Sequence, residues 1–462
     1  MPLLPTKRKT VNNCLGDNMR IQLSDHFHYR KLLAFTLPSI AMMVFTSIYS
    51  LVDGFFVSNF VGKTAFSAIN LIGPVFSIVG SLGMMIGAGG TAIVGKTLGE
   101  KEPEKANKYF SMLIFTVLMI GTVTAIIGWF ITEPLAVMLG AEGQMLEDCI
   151  VYGRISFLGS PFFMLQFSMQ TFFITAEKPR LGLAVTVLGG VSNMILDALL
   201  IAVFPLGVLG AAVATTLAQV IATLFALIYF AFPNNSLLHL TFKTRIYGRV
   251  LGSACVNGSS EMVGNIAYSI VTILYNTLLL RYYGEDGVAA YGVLMYVGFI
   301  FSAIYYGYSM GVAPVISYNY GAANHKEMKN LFRKSMVLIT FFGITMLAIS
   351  QLATPLLSKI FVGYDKELYD LTCHAMRIYS ISFLFMGVAA FGSSFYTALN
   401  NGVISAVISF VRTFVFEIGC ILLLPFVFGE EAIWWAVVAS GAASTLLTVI
   451  FFFAYRKKYQ YA

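Results

Sequence analysis

Four acidic residues, Asp53, Asp197, Glu261 and Glu417, lie inside long apolar runs, and the other acids fall in polar breaks. A carboxylate at mid-membrane costs roughly 2.5 to 3.5 kcal/mol on insertion scales, so it normally faces a cavity or a partner and marks a functional path. Asp197 has Asn193 one helical turn before it, and the i, i+4 spacing puts both on one helix face. Thr215 follows on the next apolar run, after a turn marked by Pro205 and Gly207. Oxygens from Asp53, Asn193, Asp197 and Thr215 suit a hard monovalent cation such as Na+, or a shared proton. The plainer reading is that Asn193 and Asp197 bond across helices as polar glue. Two acids in one half, with no Lys or Arg inside a span to pair with them, favour the ion-binding reading.

The second half differs. Its one basic residue well inside a span is Arg412, with Glu417 five residues later. On an α-helix that spacing separates them by about 140 degrees, which makes them poor partners within one helix. Either could pair elsewhere or line a cavity, as could Glu261. In the first half, Met164, Gln166, Met169, Gln170 and Phe173 mix polarisable, aromatic and amide groups, as a pocket tolerant of organic cations would. Ordinary helix packing is the competing reading for each. Gly90 to Thr97 spells a phosphate-loop pattern, GxxxxGK[ST], but no strand precedes it, so Gly83, Gly87 and Gly90 read as close helix packing and Lys96 as an anchor. Cys14, Cys149, Cys255, Cys373 and Cys420 have no metal-site or disulfide spacing.

The elements that must position these residues are membrane spans, because 58% of the 462 residues are hydrophobic and only 11% charged. The polar first thirty residues hold no cleavable leader pattern, so the first apolar run is expected to be a retained helix. Runs of about 20 apolar residues predict twelve helices. Six lie near 33–58, 68–94, 109–132, 150–175, 181–203 and 207–232. Six more lie near 250–281, 287–316, 333–358, 368–398, 402–427 and 431–455. The implied organisation is a terminal segment 1–31, an amino lobe 32–232, a linker 233–249, a carboxy lobe 250–455 and a tail 456–462. Placing both termini in the cytoplasm puts 22 of the 29 Lys and Arg residues there, while Glu133, Glu142, Asp286 and Glu430 fall outside. The net charge of +7 is thus an inward skew and no sign of a nucleic-acid surface.

The halves are copies of one another. Gly62 to Phe110 aligns with Gly284 to Phe332 without a gap at an offset of 222, pairing Gly89 with Gly311 and Gly99 with Gly321. Near the fifth helix an offset of 220 pairs Asp197 with Glu417 and Pro205 with Pro425. With an even number of spans in each, the copies share one orientation about an axis along the membrane normal, and a substrate cavity between them is expected. Pro38 in the first helix, which removes a backbone donor, is a candidate hinge for the Asp53 segment.

Twelve spans in two parallel halves, the segment Tyr49-Ser-Leu-Val-Asp53-Gly-Phe-Phe-Val, the Asn193-x-x-x-Asp197 pair with Thr215, and Tyr318-Asn-Tyr-Gly321-Ala-Ala-Asn together resemble the multidrug and toxic compound extrusion (MATE) transporters. The likeness runs over nearly the whole chain after about residue 30. It implies an all-α, V-shaped pair of six-helix lobes in the cell's inner membrane that exports cationic, amphipathic drugs in exchange for Na+ or H+. It implies a cation site at Asp53, Asn193, Asp197 and Thr215, with no cofactor beyond the coupling ion and no enzymatic activity. Expected partners are small organic cations and membrane lipid, with the chain acting as a monomer. Some sodium-coupled members use carboxylates in helices 7 and 10; Glu261 matches the first, but no acid occurs between Asp370 and Glu417 to match the second. Two other readings stand beside this one. A lipid-linked glycan flippase would need a cavity rich in Arg and Lys, where only Arg412 is available. An intramembrane aspartyl protease would pair Asp53 with Asp197, but that chemistry usually sits in YD and GxGD motifs, and the two acids here read Leu51-Val-Asp53 and Ile195-Leu-Asp197.

Overall fold

The computed structural model describes residues 21–462, so Lys7, Arg8, Lys9, Cys14 and Arg20 lie outside the described residues. Within the described residues the chain is helical and contains no strand. Helices α1 (Tyr29–Phe56), α2 (Lys63–Gly99), α3 (Pro103–Met138), α4 (Gly143–Leu158), α5 (Ser160–Thr175), α6 (Pro179–Asp197) and α7 (Gly207–Ala231) make up the first half. The second half holds α8 (Gly248–Gly321), α9 (His325–Val362), α10 (Lys366–Tyr379), α11 (Phe383–Ala398), α12 (Gly402–Phe410), α13 (Ile418–Phe428) and α14 (Ala436–Tyr459). Among the described residues, ten helical stretches are long and apolar enough to cross a membrane. The number is ten against the expected twelve because α8 runs 74 residues through a break at Gly284 and so contains two spans, and because the fourth span is divided into α4 and α5 at Gly159. The protein is thus a multi-pass, membrane-embedded helical bundle.

The repeat is visible in the backbone. Gly284 breaks α8 at φ 63, and Gly62, its partner at the offset of 222, separates α1 from α2 at φ 116. Both angles lie in the region that side chains with a Cβ resist, so glycine lets each half turn sharply between its first two spans. The contacts between halves are reciprocal. A Cβ on Gly99 would collide with the Tyr318 carbonyl, and one on Gly321 with the Lys96 carbonyl. Since 99 pairs with 321 and 96 with 318, this is one contact made twice, as a two-fold axis requires. Gly89 likewise meets Gly258, and Gly311 meets Thr36, the repeat partner of Gly258. The glycines of α2 also press against their own half, with Gly83 against Met164 and Gly87 against Ser168 of α5. The GKT sequence sits on the last turns of α2, so the phosphate-loop spelling is helix.

These contacts draw together the ends of the halves that carry the basic loops, here called the basic face. The segment after α7 lies on this face beneath α3, with the His239 N–H donating to Asn107 Oδ1 (2.9 Å) and Thr244 Oγ1 to the Lys108 carbonyl (2.8 Å). Helix α1 divides its packing. Near the basic face Thr36, Ser39 and Ile40 lie against Gly307 and Gly311 of α8, whereas further along Met42, Phe45 and Tyr49 lie against Gly182 and Gly190 of α6. Pro38 is buried at this changeover, roughly 22 Å along the helix from Asp53 at 1.5 Å per residue.

Three spans depart from α geometry next to the acids. Segments with π-helical i→i+5 bonding occupy Val57–Val61 just beyond Asp53, Ala198–Val203 directly after Asp197, and Val411–Glu417. Such turns are rare in proteins and cluster at functional sites.

Candidate functional site

The first-half acids converge. Gly190 lets α1 approach α6, with Tyr49 standing where a Cβ on Gly190 would be only 3.1 Å from its ring. One turn beyond Tyr49, Asp53 meets Asp197, and the two carboxyls lie within hydrogen-bonding reach of one another, a contact that needs a proton or a cation between them. Asn193 also reaches Asp53 and donates from Nδ2 to Thr215 Oγ1 on α7 at 3.4 Å. Asp197 is fully buried, Asn193 is buried, and Asp53 and Thr215 are half-buried.

The polar accounting is incomplete in an informative way. Oδ1 of Asp53, Oδ1 of Asn193 and both Oδ atoms of Asp197 are buried without a hydrogen-bond partner. An unpaired buried polar atom costs on the order of 1–3 kcal/mol. Four acceptor oxygens on two facing helices, with no donor aimed at them, form a cradle for a positive charge. Tyr49 and Tyr152 are the aromatic neighbours of the pair, and Tyr152 is half-buried on α4. Tyr152 escaped the sequence reading because it belongs to a helix without an in-span acid; Tyr49, at i−4 from Asp53, entered it only within the segment that carries the family resemblance.

The second-half residues form a separate group. Arg412 donates from Nη2 to the Tyr306 hydroxyl at 3.4 Å, and it is the charged neighbour of both Glu261 and Glu417. The expected 140 degree separation of Arg412 and Glu417 does not hold. Both lie in the π-helical segment, where i→i+5 bonding brings residues five apart nearly onto one face. No carboxylate comes within 4.0 Å of Arg412 among the described residues, so this is a loose charge group and no tight ion pair. All three side chains are half-buried.

The α5 residues face inward within the first half. Gln166, Met169, Gln170 and Phe173, with Thr186 and Thr223, line an enclosed space of about 10 Å³, room for about one water and far too small for an organic cation. Gln170 Nε2 lies 3.4 Å from Thr186 Oγ1, and Met164 is buried against α2. In this conformation these five residues are bundle interior.

Fold and site together define a helical membrane protein of two repeated halves with a charge-seeking cradle buried in the first. The sequence comparisons carry this further. The MatE family model matches residues 38–199 and again 262–422, one match in each half and most of the chain between them. The chain belongs to the MatE family. Among curated relatives, the multidrug export protein MepA of Staphylococcus saprophyticus is 27% identical over 366 residues, covering 78% of this chain and 81% of the relative. That of Staphylococcus haemolyticus is 25% identical over 409 residues, covering 88% and 89%. A solved multidrug resistance MATE family transporter in an outward-facing conformation superposes with a TM-score of 0.90 at 19% identity over 96% of this chain and 99% of that one. A MATE crystal structure in a straight conformation gives 0.87 at 19% identity over 94% and 97%. At those identities the structures speak for the fold.

Proposed function

We propose that this chain is a secondary active multidrug efflux transporter that exports cationic, amphipathic compounds in exchange for Na+ or H+ bound by Asp53, Asn193, Asp197 and Thr215. The observation that carries the reading is the set of four buried oxygens on Asp53, Asn193 and Asp197 that lack any donor. Left empty and ionised, the carboxyl pair places two like charges side by side in a low-dielectric interior; one Na+ or one proton relieves the repulsion. The names of the curated relatives support export of drugs as the work this ion drives.

Coupling follows if ion and drug favour different conformations, because a ligand with equal affinity for both states shifts nothing. Driving a two-state equilibrium from 1:99 to 99:1 takes a difference of about 5.5 kcal/mol in affinity. The basic face lies in the cytoplasm in this reading, residues 32–232 and 250–455 move as two lobes, and the loose Glu261–Arg412–Glu417 group faces the substrate path. Pro38 is the bend at which α1 changes partners. The protein works as a monomer in the inner membrane.

The flippase reading has little to stand on, since Arg412 is the lone basic side chain in the group facing the proposed path. A protease would share the facing carboxyls, but a fully buried Asp197 leaves no groove for a peptide backbone. The test is efflux of a fluorescent organic cation from proteoliposomes under separately imposed Na+ and H+ gradients. Wild type should respond to one gradient, and Asp197→Asn should insert normally yet lose the gradient-driven component. Unchanged gradient-driven rates in the variant would remove the assignment.

A further inference from the structure

Residues 21–28, ahead of α1, form a strap across the basic face whose core residues Leu23 and Phe27 have no exposed surface. Leu23 is held from both sides. Its N–H donates to Glu177 Oε1 of the first half at 2.6 Å, and its carbonyl accepts from Asn319 Nδ2 of the second half at 3.3 Å. Glu177 occupies the tight turn between α5 and α6 at φ 60. Four residues on, Glu327 at the start of α9 takes the Phe27 N–H on Oε1 (3.0 Å) and meets His26 Nδ1 with Oε2 (2.6 Å). The Phe27 carbonyl accepts from Asn330 Nδ2 (2.8 Å) and Lys334 Nζ (2.6 Å). Asn330 also donates to Glu327 Oε1 at 2.7 Å, and Asn324 caps α9 at the Glu327 N–H.

The geometry leaves no slack. One residue, Leu23, bonds one half through its N–H and the other through its C=O, so a separation of the halves by more than about 1 Å breaks one of the two bonds. The strap lies beside the reciprocal seam, where Gly99 packs on Tyr318, the residue before Asn319. A carboxylate that accepts backbone N–H groups makes charge-assisted bonds, about twice as strong as neutral ones. Glu327 is only 5% exposed, so releasing its partners leaves it to be rehydrated as the face opens.

We infer that Glu177 and Glu327 are gate residues of the transport cycle: they clasp residues 21–28 across the two halves while the basic face is closed, and the Glu327 clasp must let go before the substrate path opens there. The inference rests on the alternating-access reading above and adds positioning residues that act through the strap without touching ion or drug. It also accounts for the Tyr318 to Asn324 stretch, which supplies seam, strap anchor and helix cap within seven residues.

Two measurements on the full chain test it. In the first, hydrogen exchange on protein in lipid nanodiscs compares wild type with Glu177→Gln and Glu327→Gln. Exchange in 85–99 and 314–322 should quicken by roughly ten-fold, the factor expected from weakening one bond to a charged group, with α3 unaffected. Quickening confined to residues 21–28, or none, would overturn the gate role. In the second, a His26→Cys, Glu327→Cys protein is joined by a short bis-methanethiosulfonate linker, which forms a reducible disulfide at each end with loss of methanesulfinate, and the two single-substitution proteins, which keep the same native cysteines, serve as controls. Efflux should fall at least ten-fold on linking and return on reduction, whereas full efflux while linked would overturn the inference. If the unlinked protein moves no drug under any gradient, the efflux reading fails, and the exchange experiment still decides the clasp.

Discussion

Asp197 combines full burial, two unpaired oxygens and a second carboxyl within reach, a set of costs that a bound positive charge would relieve. The acids were legible in the sequence because charge inside an apolar run is expensive, and Asn193 because a turn of helix fixes its face. Tyr152 was not, since it reaches the pair from α4 only through tertiary packing. Its hydroxyl helps set the polarity around the pair, and a hydrogen-bonding group is worth about 0.5–1.5 kcal/mol. Tyr152→Phe should therefore weaken the apparent ion affinity roughly 3- to 10-fold with expression unchanged, as read from the ion concentration that half-saturates efflux. Met164, Gln166, Met169, Gln170 and Phe173 mark the opposite limit. Amide and thioether groups on a helix look the same in sequence whether they face an open cavity or a neighbouring helix, and here they face α2, α6 and α7.

At the scale of the helix, glycine decides whether the acids meet. Gly190 is the gap in α6 into which Phe45 and Tyr49 fit. Gly190→Val should push α1 outward and cost about 1–3 kcal/mol in strain. Asp53 and Asp197 would both remain, yet the variant should lose most of the thermal stabilisation that the coupling ion gives wild type. Retained stabilisation would show that the pair does not need this approach. The spans themselves could be read from runs of apolar residues. The π-helical segments could not, because an i→i+5 register is imposed by packing and leaves no period in the sequence. That is why a 140 degree separation was expected for Arg412 and Glu417, and why the structure brings them closer.

Over the whole molecule, the repeat read from an ungapped alignment becomes a physical axis. Gly99 and Gly321 make the same contact on its two sides. Gly99→Val and Gly321→Val should therefore lower the melting temperature in detergent by similar amounts, each overpacking the seam at a cost of about 1–3 kcal/mol. Gly419→Ala, where an added Cβ meets nothing within 4 Å, should be neutral or stabilising, since alanine is the better helix former. Strongly unequal effects of the two valines would argue against a shared axis. The strap over the basic face was invisible in the sequence, because eight polar and apolar residues ahead of a helix carry no pattern that names their partners.

That axis bears on how the two copies can drift apart. A position on the seam touches its own duplicate's neighbour, so a bulkier residue on one side has to be answered on the other, and both sides still carry glycine. The proposed ion cradle is enclosed within one half and owes nothing to its counterpart. There the second copy holds Glu417 for Asp197 and Thr413 for Asn193, with an arginine in the adjoining helical turn. Duplication thus left the joint locked in symmetry and released one of the two interiors for another use.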